Sequence, residues 1–96
     1  MTRVEFEWDP AKAAANRRKH GVTFEEAASA FSDEHGLLIA DPDHSDDETR
    51  FVLLGMSAQA RVLVVVHCYR TDDAVIRIIS ARRATRREQH HYANDD

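Results

Sequence analysis

Apolar and polar positions along the chain change period several times, and each change marks an element. Val4-Glu5-Phe6-Glu7-Trp8 alternates, as a strand with one buried face does. Asp9-Pro10 then supplies a capping carboxylate and a first-turn proline, which predicts a helix over Ala11 to His20. Lys19 and His20 suit its C-terminal end, and Gly21 suits a left-handed cap. Thr23-Phe-Glu-Glu26 reads as a capping box, followed by Phe24, Ala27, Ala28 and Phe31 as one apolar stripe on a short helix. Asp33 to Gly36 breaks that helix, Leu37 to Ala40 is a short strand, and Asp41 to Asp47 is an acidic loop.

The remaining pattern predicts an antiparallel meander. Thr49 to Ser57 and Arg61 to Arg70 are strands joined tightly through Ala58-Gln59-Ala60. Val62 to Val66 is apolar on both faces, so that strand belongs inside the sheet. Thr71-Asp72-Asp73 turns the chain, Ala74 to Arg82 returns, and Ala84 to Ala93 closes as a polar, arginine-rich helix. The order β-α-α-β-β-β-β-α describes a compact α+β domain: a small antiparallel sheet packed against helices, with one domain over residues 1–96.

Composition adds bounds. At 43% hydrophobic and 31% charged, the 96 residues suit a soluble globular chain. The longest apolar run, Val62 to Val66, is far short of the ~20 residues of a membrane span. The first eight residues contain no apolar stretch of the signal-peptide kind, so no secretory signal is expected. Cys68 is the only cysteine, which excludes an internal disulfide and fits a reducing cytoplasm. The net charge of −4 argues at first against a polyanionic partner. Its distribution changes that. Residues 1–20 carry +2, residues 21–60 carry −8, residues 61–94 carry +4, and Asp95 and Asp96 carry −2.

Few residues have the pattern of a chemical site. Arg77 interrupts Val75-Ile-Arg-Ile-Ile79, where strict alternation puts it on one face with Val75 and Ile79. A guanidinium there must meet a carboxylate, line a polar pocket or snorkel to water. Ser80-Ala-Arg82-Arg83-Ala-Thr-Arg86-Arg87 places four arginines within six positions across a strand–helix junction. Wherever that segment is helical, Arg82 with Arg86 and Arg83 with Arg87 repel at i,i+4, so an anion would offset them. That anion is a phosphate backbone or the acidic residues of a partner; a solvated face partly paired with Glu88 is the alternative. Arg17-Arg18-Lys19-His20 needs no function, since cations suit a helix C-terminus. His67 is either a hydrogen-bonded core histidine or an acid/base group in a cleft.

No metal is expected. Asp41, Asp43, Ser45 and Asp47 imitate a calcium loop, but Asp46 stands where glycine is needed and Val52 where a glutamate belongs. His90 and His91 are adjacent and diverge on a helix. With three glycines in all and no phosphate-binding loop, no nucleotide cofactor is expected either.

Several blocks together resemble one family. Trp8-Asp9-Pro-x-Lys12, Asn16-x-x-Lys19-His20-Gly21-Val-x-Phe24-x-x-Ala27, Glu48-x-Arg50, Gly55, and Arg77-x-Ile-Ser80-Ala-Arg82-x-Ala84-x-x-x-Glu88-x-x-x-Tyr92 are similar to the BrnT toxins of bacterial type II toxin–antitoxin pairs. The resemblance spans nearly the whole chain in order. It implies a RelE-like fold and an endoribonuclease that cleaves RNA and arrests translation; no metal or cofactor is expected for that reaction, because the RNA 2′-hydroxyl can itself attack the adjacent phosphate. It also implies a BrnA-type ribbon-helix-helix antitoxin, joined to the toxin in a hetero-oligomer that meets operator DNA only as the complex.

Carried onto this sequence, the resemblance makes Lys19, His20, Arg50, Arg77 and Arg82 the catalytic candidates. Arg77 and Arg82, with Arg50 third, would stabilise the phosphorane; His20 or Lys19 would move protons. His67, Ser80, Arg83, Arg86 and Tyr92 are the substrate-binding candidates, with His67 a secondary acid/base group and Tyr92 able to stack on a base or donate a proton. Glu88 is expected to pair with an arginine on its own helix, and Trp8, Gly21, Phe24, Ala27 and Gly55 to serve packing and turns. The rival reading is a non-catalytic adaptor or co-repressor that binds protein or nucleic acid through its arginine-rich face.

Overall fold

The computed structural model describes residues 4–41, 49–72 and 74–94. The expected acidic loop, apart from Asp41, and Glu48 lie outside these residues, as does Asp73 of the last turn. The elements run β1 (Glu5–Glu7), α1 (Pro10–His20), α2 (Phe24–Ser29), a 3₁₀ turn (Ala30–Ser32), β2 (Leu37–Ala40), β3 (Phe51–Met56), β4 (Val62–Arg70), β5 (Val75–Arg83) and α3 (Arg86–Ala93). The strands form one sheet in the order β1-β5-β4-β3-β2. Pairing is antiparallel from β2 through β5, as the meander requires, while β1 adds to β5 in parallel. The long crossover from β1 through the helices makes that parallel pairing possible.

Local chemistry explains the helices. Asp9 accepts from the Ala11 amide, Pro10 opens α1, and Gly21 ends it at φ +69°, the left-handed backbone that favours glycine. Thr23 caps α2 by accepting from the Glu26 amide. The return half of that box is not made, because the Glu26 carboxylate goes elsewhere. Only 5% exposed, it accepts from Ser57 Oγ at 2.7 Å and from Arg61 Nε at 2.9 Å. Arg61 Nη2 also bonds Glu26 and reaches the Gly21 carbonyl. This network ties α2 to the β3–β4 hairpin, and the guanidinium holds the buried carboxyl below its usual range. The complete capping box is at α3, where Thr85 and Glu88 bond each other's amides.

The sheet carries a core on each face. On one, Phe24, Ala27 and Val22 pack on Leu63, Val65, Ile78 and Ala81, with Phe6 and Trp8 beside them. At Gly55 a Cβ would stand 3.0 Å from the Ala30 carbonyl, so glycine lets the 3₁₀ turn close on β3. On the other face a smaller cluster of Leu54, Val64 and Ala84 meets Tyr92 of α3. Helices α1 and α2 therefore cover one face and α3 the other. The basic helices α1 and α3 thus lie on opposite faces of the sheet and do not share one basic surface.

Asn16 fastens α1 to the sheet. It is 7% exposed; its Nδ2 donates to the carbonyls of Val22 and Ala81, and its Oδ1 accepts from the Ala81 amide. Truncation would leave those backbone groups buried without partners, at about 1–3 kcal/mol each. Asn16→Ala is expected to lower the unfolding free energy by roughly 2–4 kcal/mol in urea denaturation. A loss within experimental error would show that α1 docks without this clamp.

Candidate functional site

Strand β5 builds the site through an irregularity. Val66 pairs with Ser80 and His67 with Ile78, so Ile79 is left over as a bulge. Ile76, Ile78 and Ala81 lie in the core under α1 and α2. Arg77, Ser80 and Arg82, opposite Cys68, Val66 and Val64, thus face the α3 side together. Strict alternation had put Arg77 with Val75 and Ile79; the extra residue replaces Ile79 with Ser80 and Arg82 in that set. Arg50 stands one residue before the Phe51–His67 pair, where continued alternation turns it toward the same face. Its Nε is buried with no hydrogen-bond partner among the described residues.

Arg77 and Arg82 of β5 are each held by a carboxylate. Arg77 Nη1 lies 2.9 Å from Glu7 on the neighbouring β1, and Arg70 Nε lies 3.6 Å from the same group. Arg82 makes a bidentate pair with Glu88, Nη1 to Oε1 at 2.8 Å and Nη2 to Oε2 at 2.9 Å. The Arg82 hydrogen bonds hold the Glu88 carboxyl down to about 2. Glu88 was expected to pair within its own helix. Its partner is on β5 because that strand extends to Arg83 and α3 starts only at Arg86. The anticipated i,i+4 repulsions, Arg82 with Arg86 and Arg83 with Arg87, therefore do not arise. Both ion pairs are half exposed, so they orient the guanidinium groups at little net energy and leave them open to an incoming anion.

The other candidates fall outside this row. Lys19 is exposed and His20 half-buried at the end of α1, on the opposite side of the sheet. Arg83, exposed, faces that side too, close enough to Glu26 to help lower its carboxyl. Arg86 is exposed in the first turn of α3. Tyr92 keeps its place on the α3 side, but its hydroxyl donates to Asp33 Oδ2 at 2.5 Å, which pushes the phenol up to about 12. That bond makes it a strap for the end of α3.

His67 is corrected. It is 0% exposed, edge-on to Phe31 and Tyr69, with Nδ1 donating to the Val65 carbonyl at 3.1 Å and Nε2 accepting from the Tyr69 hydroxyl at 3.3 Å. No substrate reaches it. Among the described residues, no group of three His, Cys, Asp or Glu side chains is placed to hold a metal ion. Nor is any helix there long and apolar enough to cross a membrane.

Sequence reading missed Glu7 as the partner of Arg77 and Asp33 as the partner of Tyr92, because neither contact leaves a local pattern. Thr85-Arg-Arg-Glu88 did carry a legible capping signal.

A family model described as the ribonuclease toxin BrnT of type II toxin–antitoxin systems matches residues 8–88. Among solved structures, the chain is similar to the crystal structure of the Brucella abortus ribonuclease toxin BrnT. The two are 23% identical with a TM-score of 0.58, over 86% of this chain and 99% of that one. The α+β fold read from the hydrophobic pattern is the fold they share. No curated protein matches the sequence.

Burial pulls the His67 imidazole below its ordinary 6.5, so the unfolded chain takes up its proton more readily than the folded one. The stability this buried neutral ring permits is complete above about pH 6.5 and declines as pH falls below it. Denaturation at pH 7.5 and pH 5.5 is expected to show the decline, and His67→Gln to lack most of it. An unchanged pH slope in that variant would refute the assignment.

Proposed function

The chain belongs to the BrnT family of ribonuclease toxins from type II toxin–antitoxin systems, and on that premise we propose that it is a metal-independent endoribonuclease whose arginine row on the α3 side of the sheet binds the scissile phosphate. The observation that carries the reading is the bulge at Ile79, which sets Arg77, Ser80 and Arg82 on one face, with Arg50 toward the same face. Ribonuclease activity at this general level is what the family is named for.

RNA carries its nucleophile with it. The 2′-hydroxyl attacks the adjacent phosphorus as its proton passes to water, the bond from phosphorus to the 5′-oxygen breaks with water protonating that oxygen, and a 2′,3′-cyclic phosphate remains on the upstream fragment. Between those states the phosphorane gathers negative charge on its equatorial oxygens. Guanidinium groups meet that charge bidentately and keep their protons at any working pH. Arg77 and Arg82 arrive already oriented by Glu7 and Glu88, so little ordering is left for the reaction. Arg50, turned toward the same face, is the third guanidinium, and the Ser80 hydroxyl between Arg77 and Arg82 can bond a phosphate oxygen.

Arginine transfers no proton in this pH range, and Lys19 and His20 lie across the sheet. The acceleration is therefore assigned mainly to charge stabilisation. In the cell, the proposed outcome is cleavage of RNA in the cytoplasm and arrest of translation, relieved by a BrnA-type antitoxin with a ribbon-helix-helix part.

Cleavage of a defined RNA in the presence of EDTA tests this directly. Arg77→Ala and Arg82→Ala are each expected to slow cleavage about 100-fold or more, the scale of losing one preorganised donor. Arg77→Ala should melt near the parent and still bind the antitoxin, whereas Arg82→Ala also frees Glu88 and one anchor of α3, so Arg82→Lys is the folded control at that position. His20→Ala is expected to stay within about tenfold of the parent, since proton transfer by a positioned group is worth more than that. Loss of cleavage in EDTA, full activity in both arginine variants, or collapse of activity in His20→Ala would overturn the reading.

A further inference from the structure

The α3 side of the sheet holds a second surface that the arginine row does not use. Between α3 and the end of the sheet runs a groove of about 690 Å³. Its floor is aliphatic, made by Leu37, Ile39, Val52, Leu54 and Val64. Its far wall is α3, which presents Arg87, His90 and His91. The one carboxylate on that wall, Glu88, is already committed to Arg82. Along the open side lies β2, the last strand of the sheet, and among the described residues nothing pairs with its outer edge. Ile39 is 60% exposed and Leu38 52%, a large apolar display for a strand at an edge.

These features select an occupant. A free strand edge offers backbone donors and acceptors to an added strand, whose alternate side chains would drop into the groove. The floor takes aliphatic side chains; it has no aromatic ring on which a nucleobase would stack, which disfavours single-stranded RNA. Arg87 on that wall complements a carboxylate on the side of the added strand that faces α3.

We infer that this groove, together with the outer edge of β2, seats the antitoxin, through an extended segment that alternates aliphatic and acidic residues. The inference rests on the reading of the chain as a toxin half. It adds where the partner sits: against the helix that holds Arg82 through Glu88, beside the arginine row. The bound segment would cover the approach to Arg82 and hold α3 in place, so neutralisation needs no contact with Lys19 or His20.

The test uses the full chain and the protein encoded by the adjoining antitoxin reading frame. Ile39→Lys, on an exposed side chain, is expected to weaken the complex at least tenfold by titration while RNA cleavage stays within twofold of the parent. Arg87→Glu, on a different element, is expected to weaken the complex and to reduce the dependence of its affinity on salt. Melting curves near the parent's would confirm that both variants are folded. The inference falls if both variants bind within twofold of the parent, if the parent itself does not bind, or if they keep the antitoxin but lose affinity for RNA. Should the parent bind its neighbour, the variants lose that binding, and no protein in the series cleave RNA, the docking site would stand and the ribonuclease reading would fall.

Discussion

One extra residue in β5 governs what this surface can do. Without Ile79 in the bulge, alternation would place Arg77 on the face opposite Ser80 and Arg82, and the cationic row would be split. With it, residues 76 and 78 point into the α1–α2 core and Ala81 still does so beyond the step, while the polar set stays on the α3 side. The bulge satisfies two demands that a regular strand cannot meet in this sequence. Val75-Ile-Arg-Ile-Ile79 must bury its isoleucines, and the Ser-Ala-Arg block that follows must keep both Ser80 and Arg82 on the arginine side.

The two faces are stabilised differently. Under α1 and α2 the contacts are deep: Asn16 against the β5 backbone, Glu26 with Ser57 and Arg61, and a cluster of buried aliphatic and aromatic side chains around His67. Helix α3 has no fully buried residue and is held mainly at two points, Glu88 to Arg82 and Tyr92 to Asp33. Stability is thus concentrated on one side and accessible charge on the other. Polar groups on the α3 face can be ordered without being locked, because half-exposed ion pairs exchange partners at low cost.

Net charge illustrates how a whole-chain number can mislead. The value of −4 comes from an acidic middle segment, part of which lies outside the described residues, while Arg77 and Arg82 of β5 and Arg87 of α3 stand on the α3 side. A partner of either sign meets a local surface, and within a Debye length of about 8–10 Å the local charges dominate. The same local logic divides the α3 side: guanidinium groups beside a serine suit phosphate, and an aliphatic floor beside a free strand edge suits a peptide.

The sequence by itself determined the elements, since each rests on short-range signals: alternation for the strands, Asp9-Pro10 and Gly21 for α1, Thr23 for α2. It also supplied the family resemblance and singled out Arg77 and Arg82, because lone or clustered arginines stand out in an apolar or a charged run. Only the tertiary structure decided which of these residues meet. Glu7 reaches Arg77 across some seventy residues through a parallel pairing that no local pattern encodes, and Glu26 leaves its expected cap for Arg61. His67 became a core residue, and Lys19 and His20 were separated from the arginine row by the thickness of the sheet. Local structure is set by neighbours in the chain, whereas a site is set by which face of a sheet each side chain leaves. A single unpaired residue is enough to reverse that.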